Sequence, residues 1–224
     1  MASVKTYSTP SRLYRYRPLT PSIIEREIKA VVDGYIWCPE FSAMNDPMEG
    51  VHRLSLKSIL NGDKAELSKV QREKAKLGIA SLSEVHDHEP MWAHYASQFK
   101  GMCVSYRTSR LLKALPDEYD LVRMAYNEKP PILLADRSTP IDKAKLSLAT
   151  KTVRWASERE WRLIVPTHGP AFYEETSCVE RVYLGSRIEP DAERAIRSAM
   201  APLGVSVLKM RINRYEIAFS KEGR

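Results

Sequence analysis

Residues 156–165, ASEREWRLIV, set the problem of this chain. Trp161-Arg162-Leu163-Ile164-Val165 is a strand-forming run, and it is entered directly from Glu158 and Glu160, with arginines at 159 and 162. Strand interiors disfavour Glu, and a buried carboxylate is costly unless it is paired. Two readings fit the stretch alone. In one, a glutamate neutralises a neighbouring arginine. In the other, a glutamate fixed at the mouth of a strand between Trp155 and Trp161 binds a sugar hydroxyl and faces positive charge developing at an anomeric carbon.

Working outward, other strands and helices alternate with this one. SRLYRYRPL (11–19) alternates arginines and tyrosines and ends at Pro18, a strand pattern whose plain reading is an edge strand with a solvated basic face. A helix is expected over 20–34, with Thr20 as N-cap, Pro21 in the first turn and Gly34 as stop. A short strand (35–38), a loop with an Asn-Asp-Pro turn (39–50) and a helical stretch within 51–77 follow. IASLS (79–83) and MCVSYR (102–107) read as strands around a helix capped by Asp87 and stopped at Gly101. Later come a strand at 179–185, a helix at 189–200 and two closing strands. The sum is an α+β fold, a single domain over 12–224 with a mostly antiparallel sheet flanked by helices, behind a loose N-terminus at 1–11.

With 224 residues, 43% hydrophobic and 28% charged, the chain is ordinary for a globular protein. No run approaches a membrane span, and MASVKTYSTPSR lacks the apolar core of a signal peptide, so no membrane partner and a cytoplasmic location are expected. Cys38, Cys103 and Cys178 form no CxxC pair and read as small buried hydrophobes. A net charge of +7 suits a polyanion such as nucleic acid, or a phosphate-bearing small molecule, but equally an unspecialised basic enzyme.

Four constellations carry chemistry. Arg15 and Arg17 share one strand face and would bind phosphate bidentately. Asn45 and Asp46 form an Asx turn before Pro47 or, with Glu49, contact a ribose or a cation. In MWAHYASQFKG, Trp92 and Tyr95 belong to an aromatic helical stripe that is core or ligand platform, and His94 lies off its apolar line, available as a hydrogen-bonding group and a catalytic candidate beside Glu158 and Glu160. Glu158 and Glu160 are the fourth.

The pattern Tyr14-x-Tyr16-Arg17-Pro18, Phe41-x-x-x-Asn45-Asp46-Pro47-x-Glu49, Met91-Trp92-x-His94-Tyr95-Ala96, Gly101, Trp155-x-x-Glu158-x-Glu160-Trp161-Arg162-Leu163 and Tyr183-Leu184-Gly185 resembles a bacterial family of unknown function, domain of unknown function 2971. These motifs span residues 13 to about 188. At the level of fold, the order of pieces is similar to an ADP-ribosyltransferase core, a split antiparallel sheet that binds NAD. That resemblance implies Arg15 or Arg17 as the first-strand cofactor contact, Ser81 or Ser83 in the second motif with Tyr95 behind it, and Glu158-Arg159-Glu160 as a Glu-x-Glu with Glu160 catalytic. There is no Ser-Thr-Ser triplet, and His94 and Asn45-Asp46-Pro47 have no counterpart. It further implies a toxin or phage-defence effector acting on nucleic acid or protein. The alternatives are a nucleic-acid-binding module without catalysis and a metal-dependent nuclease using Asp46, Glu49, Glu158 and Glu160.

Overall fold

The structure, a computed structural model, describes residues 8–60, 64–134 and 138–220. Its strands are β1 (Arg12–Arg17), β2 (Tyr35–Cys38), β3 (Arg53–Leu54), β4 (Gly78–Ser83), β5 (Met102–Arg107), β6 (Asp120–Arg123) and β7 (Ala125–Asn127). They continue with β8 (Ile132–Leu133), β9 (Thr150–Thr152), β10 (Glu160–Val165), β11 (Gly169–Phe172), β12 (Val179–Leu184), β13 (Ser206–Asn213) and β14 (Glu216–Ser220). The helices are α1 (Ile24–Val32), α2 (Leu56–Leu60), α3 (Lys64–Lys76), α4 (Glu89–Tyr95), α5 (Thr108–Ala114), α6 (Pro140–Leu148) and α7 (Pro190–Met200). The class is α+β. Pairing is mostly antiparallel, with parallel exceptions at β12/β13, β3/β8 and β7/β9. Of the stretch read as loose, residues 1–7 lie outside the described residues, as do 61–63 of the expected helical region. In the remainder of that region β3 interrupts the expected helix before α2 and α3.

The chain packs as two compact units: residues 1–35, 82–115 and 172–224 in the first, and 36–81 and 116–171 in the second. It crosses between them after residues 35, 81, 115 and 171, and no Gly/Ser-rich or charged linker marks any crossing.

In the first unit the strand order is β14-β13-β12-β5-β1, with the end of β4 beside β1 at Tyr14↔Ser83. β1 is thus paired on both sides, and the expected edge strand with a solvated basic face is wrong. Leu13 to Tyr16 are all buried, Arg15 included, because both sheet faces are covered. Tyr14, Tyr16, Met91, Trp92, Ala96, Cys103, Tyr183 and Met210 form one core cluster. The helix starts also differ from expectation. The Thr20 carbonyl accepts the N–H of both Ile23 and Ile24, so a turn precedes α1. His88, not Asp87, holds the N-cap position of α4, with no side-chain cap bond.

After α4, Ser97, Gln98 and Phe99 are all left-handed (φ 47°, 53° and 70°), a conformation non-glycine residues rarely adopt in succession. The turn is held by the Phe99 N–H to the Trp92 carbonyl (3.2 Å) and the Gly101 N–H to the Ala96 carbonyl (2.7 Å). Two glycines make room for it. A Cβ on Gly101 would overlap the Arg17 carbonyl, and one on Gly185 the Phe99 carbonyl. The Gly101 and Gly185 landmarks are therefore backbone-contact positions.

In the second unit β10 lies between β4 and β6, and all six of its residues are buried. α3 packs on α6 over a core of Val70, Leu77, Ile79, Leu133, Ala144, Leu148 and Ile164. A capping box fixes the start of α6. The Thr139 hydroxyl accepts the Asp142 N–H, and the Asp142 carboxylate accepts the Thr139 N–H at 3.1 Å. All three cysteines are buried and form no disulfide among the described residues, as expected. No described helix is long and apolar enough to cross a membrane.

Candidate functional site

The second unit holds the opening glutamates. Val153–Glu158 is a 3-10 turn, and Arg159, left-handed at φ 47°, reverses the chain before β10 begins at Glu160. Both carboxylates consequently reach one ammonium group: Lys151 Nζ donates to Glu158 Oε2 at 2.7 Å and to Glu160 Oε2 at 3.1 Å. Arg162, two residues along the strand and fully buried, donates from Nε to Glu160 Oε1 at 2.8 Å. Its Nη1 and Nη2 form a bidentate pair with Glu49 (2.8 and 2.6 Å), and Nη1 also reaches the Leu148 carbonyl at 2.6 Å. The Ser81 hydroxyl on β4 donates to Glu160 Oε1 at 2.6 Å. The Tyr126 hydroxyl accepts the Glu160 N–H at 2.7 Å. Trp155 lies under the Lys151 ammonium, 4.6 Å from ring centroid to Nζ.

The electrostatics follow from this packing. Burial alone would raise the Glu160 pKa, but the charges of Arg162 and Lys151, with hydrogen bonds from Arg162 and Ser81, outweigh it and bring the pKa down to about 2. Burial would lower the Lys151 pKa, and the Glu160 and Glu158 carboxylates reverse that shift and raise it. Glu160 is therefore an ionised carboxylate in a desolvated place, with three donors on its two oxygens.

Other sequence candidates in this unit stand apart in character. Asp46 is buried and its carboxylate accepts the Met48 N–H at 2.9 Å, the Asx turn expected of Asn-Asp-Pro, while Asn45 is exposed. In the first unit, Arg17 forms a bidentate pair with Glu27 of α1 (2.6 Å from Nη2), and Arg15 is buried. Ser83 is fully buried, its hydroxyl accepting the Val85 N–H at 3.1 Å. Trp92 is fully buried and its indole N–H donates to the His86 carbonyl at 2.7 Å. Tyr95 is half-buried against that core, and His94 is exposed. Of the two serines, Ser81 is the one that shares the second unit with Glu160 and hydrogen-bonds it.

Sequence reasoning missed Lys151 and Tyr126, which carry no motif, and gave Arg162 only a neutralising role. Glu49 was singled out for a ribose or a cation, and instead it holds Arg162.

Residues 91–163 match the family described as protein of unknown function (DUF2971). The resemblance is borne out over that segment, which is shorter than the span of the quoted motifs. DUF2971 coverage includes Trp92, Gly101, Lys151, Glu158, Glu160 and Arg162, while Glu49 and Ser81 lie outside it. No curated protein and no solved structure matches the chain.

Proposed function

We propose that the chain transfers the ADP-ribosyl group of NAD, with Glu160 as the acid residue facing the reacting ribose. The observation that carries the reading is the 2.6 Å hydrogen bond from Ser81 to Glu160 across neighbouring strands. The resemblance implies Ser81 or Ser83 for its second motif, packed on the nicotinamide, and Glu160 as the catalytic residue of its Glu-x-Glu, and this bond puts Ser81 beside that glutamate. In such a transfer the bond from the ribose anomeric carbon to nicotinamide breaks and nicotinamide leaves with the electron pair. An acceptor nucleophile then attacks the oxocarbenium-like carbon. A carboxylate whose pKa is about 2 is ionised at neutral pH and suits the stabilising of that charge.

Glu160 is only 3% exposed, so a ligand reaches it when the 3-10 turn Val153–Glu158, carrying Trp155, moves aside and releases Lys151. Two observations weigh against the alternatives. Trp92 is fully buried and Tyr16 donates its hydroxyl to the Val85 carbonyl, so neither offers a surface to bases. Glu49, Glu158 and Glu160 spend their oxygens on Arg162 and Lys151, which stand where a nuclease metal would be needed. The net charge of +7 favours a nucleic-acid acceptor over a protein one, and a toxin or phage-defence effector is the role such chemistry would serve.

The test is calorimetry with NAD and an assay of nicotinamide release, using wild type, Ser81→Ala and Glu160→Gln. Saturable binding, with release abolished in Glu160→Gln and reduced in Ser81→Ala, supports the transferase. Absence of binding at millimolar NAD overturns it.

A further inference from the structure

A second feature lies in the first unit and does not depend on Glu160. In antiparallel strands, directly opposite residues point to the same face. Tyr14 is opposite Ser105 and Tyr16 opposite Cys103 across β1/β5. Across β12/β5, Arg181 is opposite Ser105 and Tyr183 opposite Cys103. The middle strand thus contributes two small side chains between rows of large ones, a trough with Cys103 and Ser105 in its floor, flanked by Tyr14 and Tyr183, whose rings lean together at 57° with centroids 6.2 Å apart. The imidazole of His86 packs over these tyrosines. Its centroid lies 4.9 Å from Tyr14 at 27°, 4.4 Å from Tyr183 at 34° and 5.2 Å from Phe219 at 32°.

Two details do not fit a purely structural plug. The Ser105 hydroxyl is fully buried and has no hydrogen-bond partner among the described residues, which is uncommon in native interiors. The imidazole ring is stacked on Tyr14 and tilted against Tyr183 and Phe219, and it makes no hydrogen bond to the described residues. The main chain beneath it is fixed, because Trp92 holds the His86 carbonyl and Tyr16 the Val85 carbonyl (2.7 and 3.0 Å). Emptying the trough therefore needs only a rotation of the His86 side chain. Arg12 and Arg181, two residues before Tyr14 and Tyr183 on the same strand face, stand at its rim, 44% and 35% exposed in their side chains. Glu180 pairs with both and leaves the rim with one positive charge in excess.

We propose that this trough is a nucleotide subsite: a flat heteroaromatic base packs over Tyr14 and Tyr183 in the place of His86. Its edge bonds to the Ser105 hydroxyl, and its phosphate meets Arg12 and Arg181. His86 is the stand-in for the base and competes with it. Burial, together with the charges of Arg181 and Arg12, lowers the His86 pKa against the opposing pull of Asp87, which keeps the imidazole neutral and stackable.

The probes are adenosine 5′-monophosphate, a short single-stranded oligoadenylate and ribose 5-phosphate, titrated by calorimetry into wild type, His86→Ala, Ser105→Ala and Tyr183→Leu. The nucleotide is expected to bind about tenfold more tightly to His86→Ala and about tenfold more weakly to Ser105→Ala, with ribose 5-phosphate far weaker throughout. Equal affinity per base for the monomer and the oligomer identifies a free nucleotide. Binding of the oligomer alone identifies a base within a strand. In the wild type, the His86 ring proton resonances should leave their ring-current-shifted positions on saturation. That measurement decides the matter if His86→Ala does not fold. Absence of binding to His86→Ala at millimolar concentration overturns the proposal, as does affinity unchanged by both Ser105→Ala and Tyr183→Leu, or His86 resonances unmoved at saturation. Binding here is expected to be unaffected by Glu160→Gln, so its failure and that of the transferase reading are separable.

Discussion

Replacing Arg162 by leucine tests the central network most directly. The guanidinium is fully buried and donates to Glu160, twice to Glu49 and to the Leu148 carbonyl. Its removal leaves two buried carboxylates without their main partner, the circumstance in which breaking a buried pair costs roughly 3–5 kcal/mol. The pH dependence gives an independent measure. Glu160 is held at about 2 against an ordinary 4.5, so its ionised form contributes about 3 kcal/mol to stability. Because the folded-state pKa is depressed, that contribution is complete above pH 4.5 and is lost as pH falls from there toward 2. In Arg162→Leu the depression should largely vanish, with Lys151 as the remaining cation near a desolvated carboxylate. Urea unfolding followed by circular dichroism at pH 7 and at intervals down to pH 3 reads both effects. The variant should be several kcal/mol weaker at pH 7, and its stability should fall less steeply over the acid interval. A variant within about 1 kcal/mol of wild type at pH 7, with a parallel acid profile, would refute the network as a stabilising unit.

Ser81→Ala removes a donor from a buried ionised carboxylate and should cost about 1.5–3 kcal/mol in thermal or urea unfolding. Gly185→Ala places a methyl against the Phe99 carbonyl and should destabilise by roughly 1–3 kcal/mol or more, while the same change at Gly204, which has open space around its Cβ direction but φ +65°, should cost less. Lys74, buried beside the Gly50 carbonyl and 2.9 Å from His52 Nδ1, has its pKa pushed down by burial to about 8. The folded state therefore binds fewer protons than the unfolded state between pH 8 and 10.5, and stability from this group rises with pH across that window. Relative to Lys74→Met, wild type should gain in melting temperature from pH 8 toward pH 10, and a constant difference would contradict the burial argument.

Much of the fold was legible in the sequence. Alternation in SRLYRYRPL and the run WRLIV each placed a strand within a residue or two, because the two-residue period of a strand is a local property. Helix beginnings were read less well. Thr20 and Asp87 are good caps by residue type, but main-chain carbonyls and the surrounding packing set where α1 and α4 start. Tyr14 and Tyr16 looked like one face of an edge strand because period alone cannot count neighbours, and β5 and β4 cover both sides.

For the site, the sequence by itself determined that Glu158 and Glu160 stand at the mouth of a strand and that Arg162 lies two residues on, a spacing fixed by the chain. Which cation meets which carboxylate was decided only by the tertiary structure. Glu49 and Arg162 are 113 residues apart, and Ser81 and Glu160 are 79 apart. Such pairs are invisible to local pattern, because a charge selects the partner that folding brings within hydrogen-bond range, and only in a desolvated interior does that selection carry several kcal/mol. The same holds for His86, a loop residue in the sequence, which folding brings against three aromatic rings from three strands.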